Sequence, residues 1–185
     1  MNDKLVAKFG RGINVAEGQA LLYLERHAPE VPAPRLHAMF RDGEEVFLVM
    51  DRAPGVPLEA LWPTLTEAEK ASVTAKLGNI FDYMRQVECP WPDFFGGLGG
   101  GGLRHYLFYS QKEGDFTHLG PFHDATAFVK SMVANFRSLV ERNGRADFEV
   151  RFYERYLGQA LGTLRPTLTH KDVQKKNIMI VETSG

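Results

Sequence analysis

The chain has few of the features that would tie it to a membrane, to nucleic acid or to an oxidising compartment. A single cysteine, Cys89, excludes an intrachain disulfide. The 22 Lys and Arg residues nearly balance the 23 Asp and Glu residues, so no basic surface is expected to attract nucleic acid or acidic lipid. Apolar runs are too short to span a bilayer, and no charged stretch followed by an apolar run opens the sequence. We therefore expect a cytoplasmic protein with no nucleic-acid and no membrane partner.

Strand signals and one helix signal occupy the first fifty residues. Residues 5–9 alternate with the period of a strand, which places Lys8 on the same face as Val6. Asn14 and Glu17, three residues apart, resemble the capping box that opens a helix, and the helix is expected to stop at the prolines of residues 29–34.

A second strand is expected further on, followed by a mainly helical region. The run EEVFLVM at residues 44–50 reads as a strand that ends sharply at residues 53–55, Ala-Pro-Gly. A second capping box, Thr66 with Glu69, opens a long helix. Two more helices are expected, and each has an apolar face: one opens at Asp124 and one runs from about Ala146 to Pro166.

The glycine-dense stretch FGGLGGGGL lies in a loop-like segment, residues 89–121. It lacks the Lys-Ser or Lys-Thr ending of a nucleotide-binding Walker loop, and no strand leads directly into it. We interpret it as a surface connection and assign it no phosphate role.

The most informative motif lies near the end of the chain, where THKDVQKKNIMIV contains His170, Asp172 and Asn177 at the spacing H-x-D-x-x-x-x-N. In a kinase catalytic loop, an Asp orients the attacking hydroxyl and takes its proton, and an Asn five residues later binds a metal ion that bridges the nucleotide phosphates. A polar turn before a strand is the simpler alternative, since all three residue types are common in turns. Lys175 and Lys176, inside the motif, could neutralise phosphate, although solvated lysines are the simpler interpretation.

Phosphoryl transfer also needs a fixed cation near the phosphates, and a carboxylate on a neighbouring helix holds such a cation best. Lys8 and Glu17 are candidates for this pair. Glu25, on a neighbouring face of the same helix, is a rival partner for Lys8, and Lys8 could also be a solvated strand lysine. The order of the parts carries more weight than any single match: strand Lys, helix Glu, apolar strand, Pro-Gly break, helical region, then His-x-Asp and Asn.

Taken together, these stretches resemble the aminoglycoside phosphotransferase family of the protein-kinase-like superfamily, in particular its fungal branch. The resemblance covers residues 5–181 and rests on the segments VAKFG, NVAEGQALLYL, VPAPRL, VFLVMDRAPGVPLEALWPTLTEAEK, FGGL with the glycine run, GPF and LTHKDVQKKNIMI. It implies an α+β, protein-kinase-like two-lobed fold with a small strand-rich N-lobe and a larger helical C-lobe. It also implies that ATP binds between the lobes and that the γ-phosphoryl group passes to a hydroxyl of a small molecule.

The resemblance assigns a role to each candidate residue. Lys8 would be the phosphate-binding lysine and Glu17 its ion-pair partner. The backbone at Met50, Asp51 and Ala53 would form the hinge that contacts adenine. The division implied is a partial N-lobe at residues 1–51, a hinge at 52–55 and a partial C-lobe at 56–185. In the catalytic loop, Asp172 would be the base, His170 would support the loop, and Asn177 would bind Mg²⁺.

Some positions depart from the family pattern. Lys171 stands where most members have Gly, and Gln174 stands where serine/threonine protein kinases usually carry Lys, which favours a small-molecule acceptor. The nucleotide-covering hairpin before Lys8 and the magnesium-binding Asp after Asn177 do not occur in this sequence, so the fold is expected to be incomplete and apolar helical faces in residues 124–164 to promote association. Two functions remain open: a phosphotransferase with an alcohol-group acceptor, and a truncated, non-catalytic kinase-like protein that only binds a ligand or partner.

Overall fold

The computed structural model describes residues 4–89, 91, 93–103, 105–108 and 119–181. The chain forms two compact units. The first consists of the described parts of Met1–Glu88 and Thr167–Gly185, and the second of those of Cys89–Pro166. The division predicted at residues 52–55 is a separate hypothesis about lobes and stays a prediction.

The first unit contains a three-stranded antiparallel sheet with the strand order β1-β3-β2. These strands are β1 (Leu5–Gly10), β2 (Leu36–Asp42) and β3 (Glu45–Asp51). The strands expected at residues 5–9 and 44–50 are confirmed, each within one residue. Sequence patterns did not predict β2, which forms a tight hairpin with β3 through Gly43 at φ 57°.

Helix α1 (Val15–His27) covers one face of this sheet. Val46, Leu48 and Met50 alternate along β3 and are buried, because successive strand side chains point to opposite faces. They form a core with Leu36, and partly buried side chains of α1 pack against it. Gly18 permits the close approach of α1: a Cβ there would lie 2.7 Å from Met39 Sδ and 3.0 Å from Leu48 Cδ2.

A second, smaller sheet joins parts of the chain that are distant in sequence. Strand β4 (Val56–Pro57) pairs antiparallel with β5 (Met179–Ile180), which confirms a short strand after the His-x-Asp motif. The short helix α2 (Leu58–Leu61) and the long helix α3 (Glu67–Gln86) follow β4. The predicted capping box at the start of α3 is formed, with Thr66 and Glu69 each bonding the other's backbone N–H.

The second unit is built on two helices, α4 (Ala125–Arg142) and α5 (Phe148–Leu161). Asp124 caps α4 by accepting a hydrogen bond from Ala127 N at 2.6 Å, as the sequence predicted. Val133 and Val140 of α4 pack with the fully buried Val150 of α5. Short 3₁₀ turns lie at Tyr106–Phe108 in this unit and at Lys175–Asn177 in the first unit.

The predicted α+β fold class is confirmed: the chain has an antiparallel sheet near its N-terminus and helices towards its C-terminus, consistent with a kinase-like fold. Part of the loop-like segment expected at residues 89–121 lies outside the described residues, namely 90, 92, 104 and 109–118. Each helix in the described ranges is either too short or too polar to span a bilayer.

Candidate functional site

Lys8 and Glu17 form a bidentate ion pair. The Lys8 ammonium lies 2.8 Å from both Oε1 and Oε2 of Glu17, which joins the middle of β1 to the first turn of α1. The two side chains are 49% and 40% exposed. Exposed ion pairs contribute little to stability, about 0–1 kcal/mol. The consequence of this pair is the position of the Lys8 ammonium group, beside the first turn of α1.

The structure selects Glu17 over Glu25 as the partner of Lys8. Glu25 lies on a different face of α1 and pairs with Arg35, with 3.1 Å between Oε1 and Nε. The predicted capping box at Asn14 is wrong in one respect. Asn14 is the N-cap, but its side chain accepts from Ala16 N at 3.0 Å, and the Glu17 carboxylate turns to Lys8 instead of back to Asn14. The charge of Lys8 outcompetes the neutral backbone donor, since charge-assisted hydrogen bonds are the stronger ones.

His170, Asp172 and Asn177 form a compact exposed loop. Asn177 Nδ2 donates to Asp172 Oδ2 at 3.0 Å and to the Asp172 carbonyl at 3.1 Å. Gln174 Nε2 donates to the other carboxylate oxygen, Asp172 Oδ1. His170 Nδ1 accepts from Asp172 N at 3.3 Å, a contact that supports the loop from the opposite side.

The turn that brings Asn177 back to Asp172 is local. Gln174 N donates to the Asp172 carbonyl at 3.1 Å, and Asn177 N donates to the Gln174 carbonyl at 2.9 Å. The 3₁₀ turn Lys175–Asn177 then leads into β5. The short spacing between Asp and Asn is therefore closed by backbone hydrogen bonds that need no distant partner, which is why the sequence motif could indicate it.

Asn177 has the chemistry of a magnesium ligand. Its amide nitrogen is engaged by Asp172, which leaves Oδ1 as the acceptor, and this oxygen receives no hydrogen bond from any described residue. Amide and carboxylate oxygens suit Mg²⁺, which is usually held by one or two protein groups together with substrate phosphates. Among the residues the structure describes, no cluster of three or more His, Cys, Asp or Glu side chains could hold a metal alone.

The segment from Met50 to Ala53 runs from the buried Met50 to the exposed Arg52, with Asp51 and Ala53 half-buried. The Met50 side chain is in the sheet core, and Asp51 N donates to the Arg35 carbonyl at 2.9 Å. Asp51 Oδ1 lies 2.7 Å from His37 Nε2. This hydrogen bond is the main cause that lowers the pKa of the Asp51 carboxyl.

Ala53 differs from its neighbours because it lies beyond the last sheet hydrogen bond, from Arg52 N to the Lys4 carbonyl at 2.8 Å. Its own backbone N–H and C=O make no hydrogen bond to another described residue. Its N–H is therefore available as a donor and its C=O as an acceptor.

The candidate residues therefore form two clusters, Lys8 with Glu17 and His170 with Asp172 and Asn177. No hydrogen bond or ion pair joins the clusters among the described residues. Sequence reasoning did not identify Gln174 as a partner of Asp172, although a polar side chain two residues after an Asp is a common local bonding pattern. No sequence pattern indicated His37 as a candidate, because its partner Asp51 belongs to a different strand.

Two of the cavities in the described parts lie away from the candidate clusters. The larger one has a volume of about 440 Å³ and lies between α4 and α5, beside Val129, Arg137 and Tyr153. A smaller one of about 150 Å³ lies beside the C-terminal half of α1. The candidate clusters are on exposed surface instead.

Comparison with known proteins identifies a family for this chain. Residues 15–185 match the phosphotransferase enzyme family (APH), whose members carry out kinase-like phosphotransfer. No curated protein and no solved structure matches the chain. Since the match covers most of the sequence, including Glu17 and the His170–Asn177 loop, the chain belongs to the phosphotransferase enzyme family.

Proposed function

We propose that the protein transfers the γ-phosphoryl group of ATP to a hydroxyl of a small molecule. In this reaction the bond from the γ-phosphorus to the ADP oxygen breaks, and a bond from phosphorus to the acceptor oxygen forms. The acceptor proton passes to Asp172. Membership of the phosphotransferase family supports this reaction type, and the acceptor is a small molecule in that family.

The observation that carries the proposal is the Lys8–Glu17 pair. Each residue alone has an ordinary explanation, a solvated lysine or a helix-capping glutamate. The bidentate contact at 2.8 Å excludes the capping role for the Glu17 carboxylate and fixes the ammonium on the strand. A fixed cation stabilises the phosphate charge without having to reorganise when the reaction occurs. Lys8 is accordingly the residue that we assign to the phosphates.

Asp172 and Asn177 supply the other two functions. The exposed Asp172 carboxylate can accept a proton from an acceptor hydroxyl that approaches one of its oxygens. Asn177 presents Oδ1 for Mg²⁺, which when bound neutralises charge on the transferred phosphoryl group. His170 holds the loop through Asp172 N.

We also propose the finer features that the resemblance implies. Residues 1–51 form the small lobe, 52–55 the hinge and 56–185 the larger lobe of a kinase-like fold. The free backbone groups of Ala53 support a hinge that contacts adenine, with Met50 and Asp51 on the strand that leads to it. Membership of the fungal branch is part of the same proposal.

The test is transfer of labelled γ-phosphate from Mg-ATP to a panel of hydroxyl compounds by the purified chain. Asp172→Asn should reduce the rate by about 10²- to 10⁴-fold, the usual effect of losing a general base. Asp82→Asn is the matched control, because Asp82 forms only an exposed pair with Arg85 on α3. Turnover that is unchanged in Asp172→Asn would contradict the role given to Asp172.

Nucleotide binding is tested separately, by calorimetry with Mg-ATP. Lys8→Met should weaken binding about tenfold or more, since one charge-assisted contact to phosphate contributes about 1.5–3 kcal/mol. Lys76→Met, which removes an exposed lysine of α3, should bind as the wild type does.

A non-catalytic, kinase-like ligand-binding protein is the alternative. It is favoured by the engagement of both Asp172 carboxylate oxygens and by the lack of a carboxylate cluster for metal in the described residues. Mg-ATP binding without transfer to any acceptor, and with Asp172→Asn binding equally well, would support this alternative. Transfer that depends on Asp172 excludes it.

A further inference from the structure

The segment that follows the proposed hinge is tied to the end of the catalytic loop. Leu58 N donates to the Ile178 carbonyl at 2.8 Å, and Val56 pairs with Ile180. Gly55, at φ 96°, allows this close approach, because a Cβ there would collide with the Ile180 carbonyl oxygen. Leu58 is 2% exposed and anchors the start of α2. Residues 55–58 therefore form a fixed support on the C-terminal side of the loop.

Trp62, one turn further on, reaches the middle of the same loop. The Lys175 ammonium lies 4.6 Å from the centroid of the Trp62 ring, well inside the range of a cation–π contact. A second ammonium, that of Lys70 on α3, lies 5.7 Å from the same centroid and also bonds Glu67 at 2.8 Å. The half-buried indole thus lies between the long helix and the loop.

Lys175 occupies a sensitive place in the loop. It lies between Gln174, which bonds Asp172 Oδ1, and the residues leading to Asn177, which bonds Asp172 Oδ2. The Lys175 carbonyl also begins the turn, because it accepts from Ile178 N at 3.4 Å. The hydrogen bonds that orient Asp172 are all made within the loop, so they fix its internal shape. The Leu58–Ile178 hydrogen bond and the β4–β5 pairing hold the C-terminal end of the loop against the start of α2. The Trp62 contact adds a second constraint, at Lys175 in the middle of the loop.

We propose that Trp62 is a positioning residue for the catalytic loop, acting through the ammonium group of Lys175. The inference rests on the proposed function for its catalytic consequence, whereas its structural part stands on these contacts alone. It assigns Lys175 to the indole and not to the phosphates of the nucleotide. The aromatic face of Trp62 stabilises the ammonium group of Lys175, while the Lys175 main chain forms part of the turn from Asp172 to Asn177.

Hydrogen exchange of the purified chain tests the structural part without any turnover. The probes are the Asn177 and Ile178 amides, both hydrogen-bonded within the loop. Trp62→Leu and Lys175→Met should each speed their exchange about two- to fivefold, the factor expected for an exposed cation–π contact. The double variant should exchange no faster than either single variant, because both remove the same contact. Lys175→Arg and Trp62→Phe should restore most of the protection.

Lys176→Met is the matched control for exchange, since it removes the adjacent lysine of the same turn. The proposal is overturned if Lys175→Met exchanges like the wild type, or if the Trp62 and Lys175 effects add in the double variant. Where Trp62→Leu unfolds the chain, Trp62→Phe and Lys175→Met decide the question.

Kinetic measurements then show whether Lys175 positions the catalytic loop or only stabilises it. In Lys175→Met, kcat for phosphotransfer should fall about two- to fivefold with KM for Mg-ATP unchanged, because the base is displaced while the nucleotide contacts remain. A rise in KM with constant kcat would instead place Lys175 on the phosphates and contradict the assignment. Absence of transfer by the wild-type chain would refute the proposed function. The hydrogen-exchange rates would then still show whether the Trp62–Lys175 contact holds the loop.

Discussion

The Asp172 carboxylate is engaged on both oxygens, by Gln174 Nε2 and by Asn177 Nδ2. These two hydrogen bonds have different effects on the proposed reaction. Asn177 must stay close to Asp172 for the proposed magnesium role. The Gln174 amide occupies the oxygen that an acceptor hydroxyl could use. In the proposed reaction, the Gln174 amide and the acceptor hydroxyl therefore compete for the lone pairs of Asp172 Oδ1.

Replacing Gln174 by Leu should consequently improve use of the acceptor. One hydrogen bond contributes about 0.5–1.5 kcal/mol net, so kcat/KM for the acceptor should rise about two- to tenfold. Steady-state kinetics on the acceptor found in the screen checks this. Gln159→Leu on the exposed face of α5 is the control and should have no effect. A fall in kcat/KM would mean that Gln174 orients Asp172 instead of blocking it.

A second residue-scale prediction concerns pH. The hydrogen bond from His37 lowers the pKa of the Asp51 carboxyl at the end of β3. A carboxylate with a lowered pKa stabilises the folded state above its unfolded pKa, and that contribution disappears as pH falls through the folded pKa. His37→Ala should therefore raise the Asp51 pKa towards the ordinary value, near 4. The stability difference between variant and wild type should shrink below that pH.

An NMR titration of the Asp51 carboxyl, with chemical denaturation at neutral and acidic pH, measures both effects. His123→Ala, a substitution in the second unit, is the control and should leave the Asp51 titration unchanged. An Asp51 pKa that does not rise in His37→Ala would contradict the cause assigned to its shift.

Among the secondary-structure elements, α1 has the clearest link between packing and the site. Gly18 lies directly after Glu17 and lets the helix approach Met39 and Leu48 of the sheet. The distance between helix and sheet decides whether the Glu17 carboxylate can reach Lys8 on the neighbouring strand. A side chain at position 18 would push α1 outward.

Gly18→Val should therefore destabilise the first unit by about 1–3 kcal/mol, the usual cost of overpacking a core, and should weaken Mg-ATP binding by separating Glu17 from Lys8. Denaturant unfolding and calorimetry provide the two measurements. Gly78→Val is the matched control in α3, where a Cβ meets nothing within 4 Å, so its effect on stability should be neutral or slightly favourable. Equal effects of the two substitutions would contradict the packing argument.

For the whole molecule, the exposed aromatic surface of the second unit is the dominant feature. Phe148, Phe152 and Tyr156 recur every four residues on α5 and are 63%, 58% and 41% exposed. Spacing of this kind places them along one helix face. The sequence-based expectation of uncovered apolar surface in residues 124–164 is consistent with these exposures. Contiguous apolar surface of this kind promotes association.

The purified chain should therefore associate as its concentration rises, and Phe152→Lys should shift it towards the monomer. Size-exclusion chromatography with light scattering measures this. Glu149→Lys is the control, because it makes a larger charge change on the same helix without removing an aromatic ring. A wild-type chain that stays monomeric at all concentrations would contradict the prediction.

The sequence by itself determined the local elements and the motif. Strands β1 and β3, the starts of α1, α3 and α4, and the Asp172–Asn177 loop were all predictable, because periodicity, capping and turn hydrogen bonds act between residues a few positions apart. The family came from a different source, the resemblance of the quoted segments to the aminoglycoside phosphotransferase family, and the match over residues 15–185 confirmed it. The capping role of Glu17 was the local prediction that failed.

Only the tertiary structure decided which distant residues meet. It assigned Glu17 to Lys8 and Glu25 to Arg35, and it placed Trp62 against Lys175. None of these contacts has a local signal, since each depends on how elements far apart in the chain pack. Gly18 and Gly55 illustrate the reason: each appears in the sequence as an ordinary glycine, and only the packed backbone reveals the neighbour that a side chain would strike. Local chemistry specifies the parts, and close packing of the folded chain selects their partners.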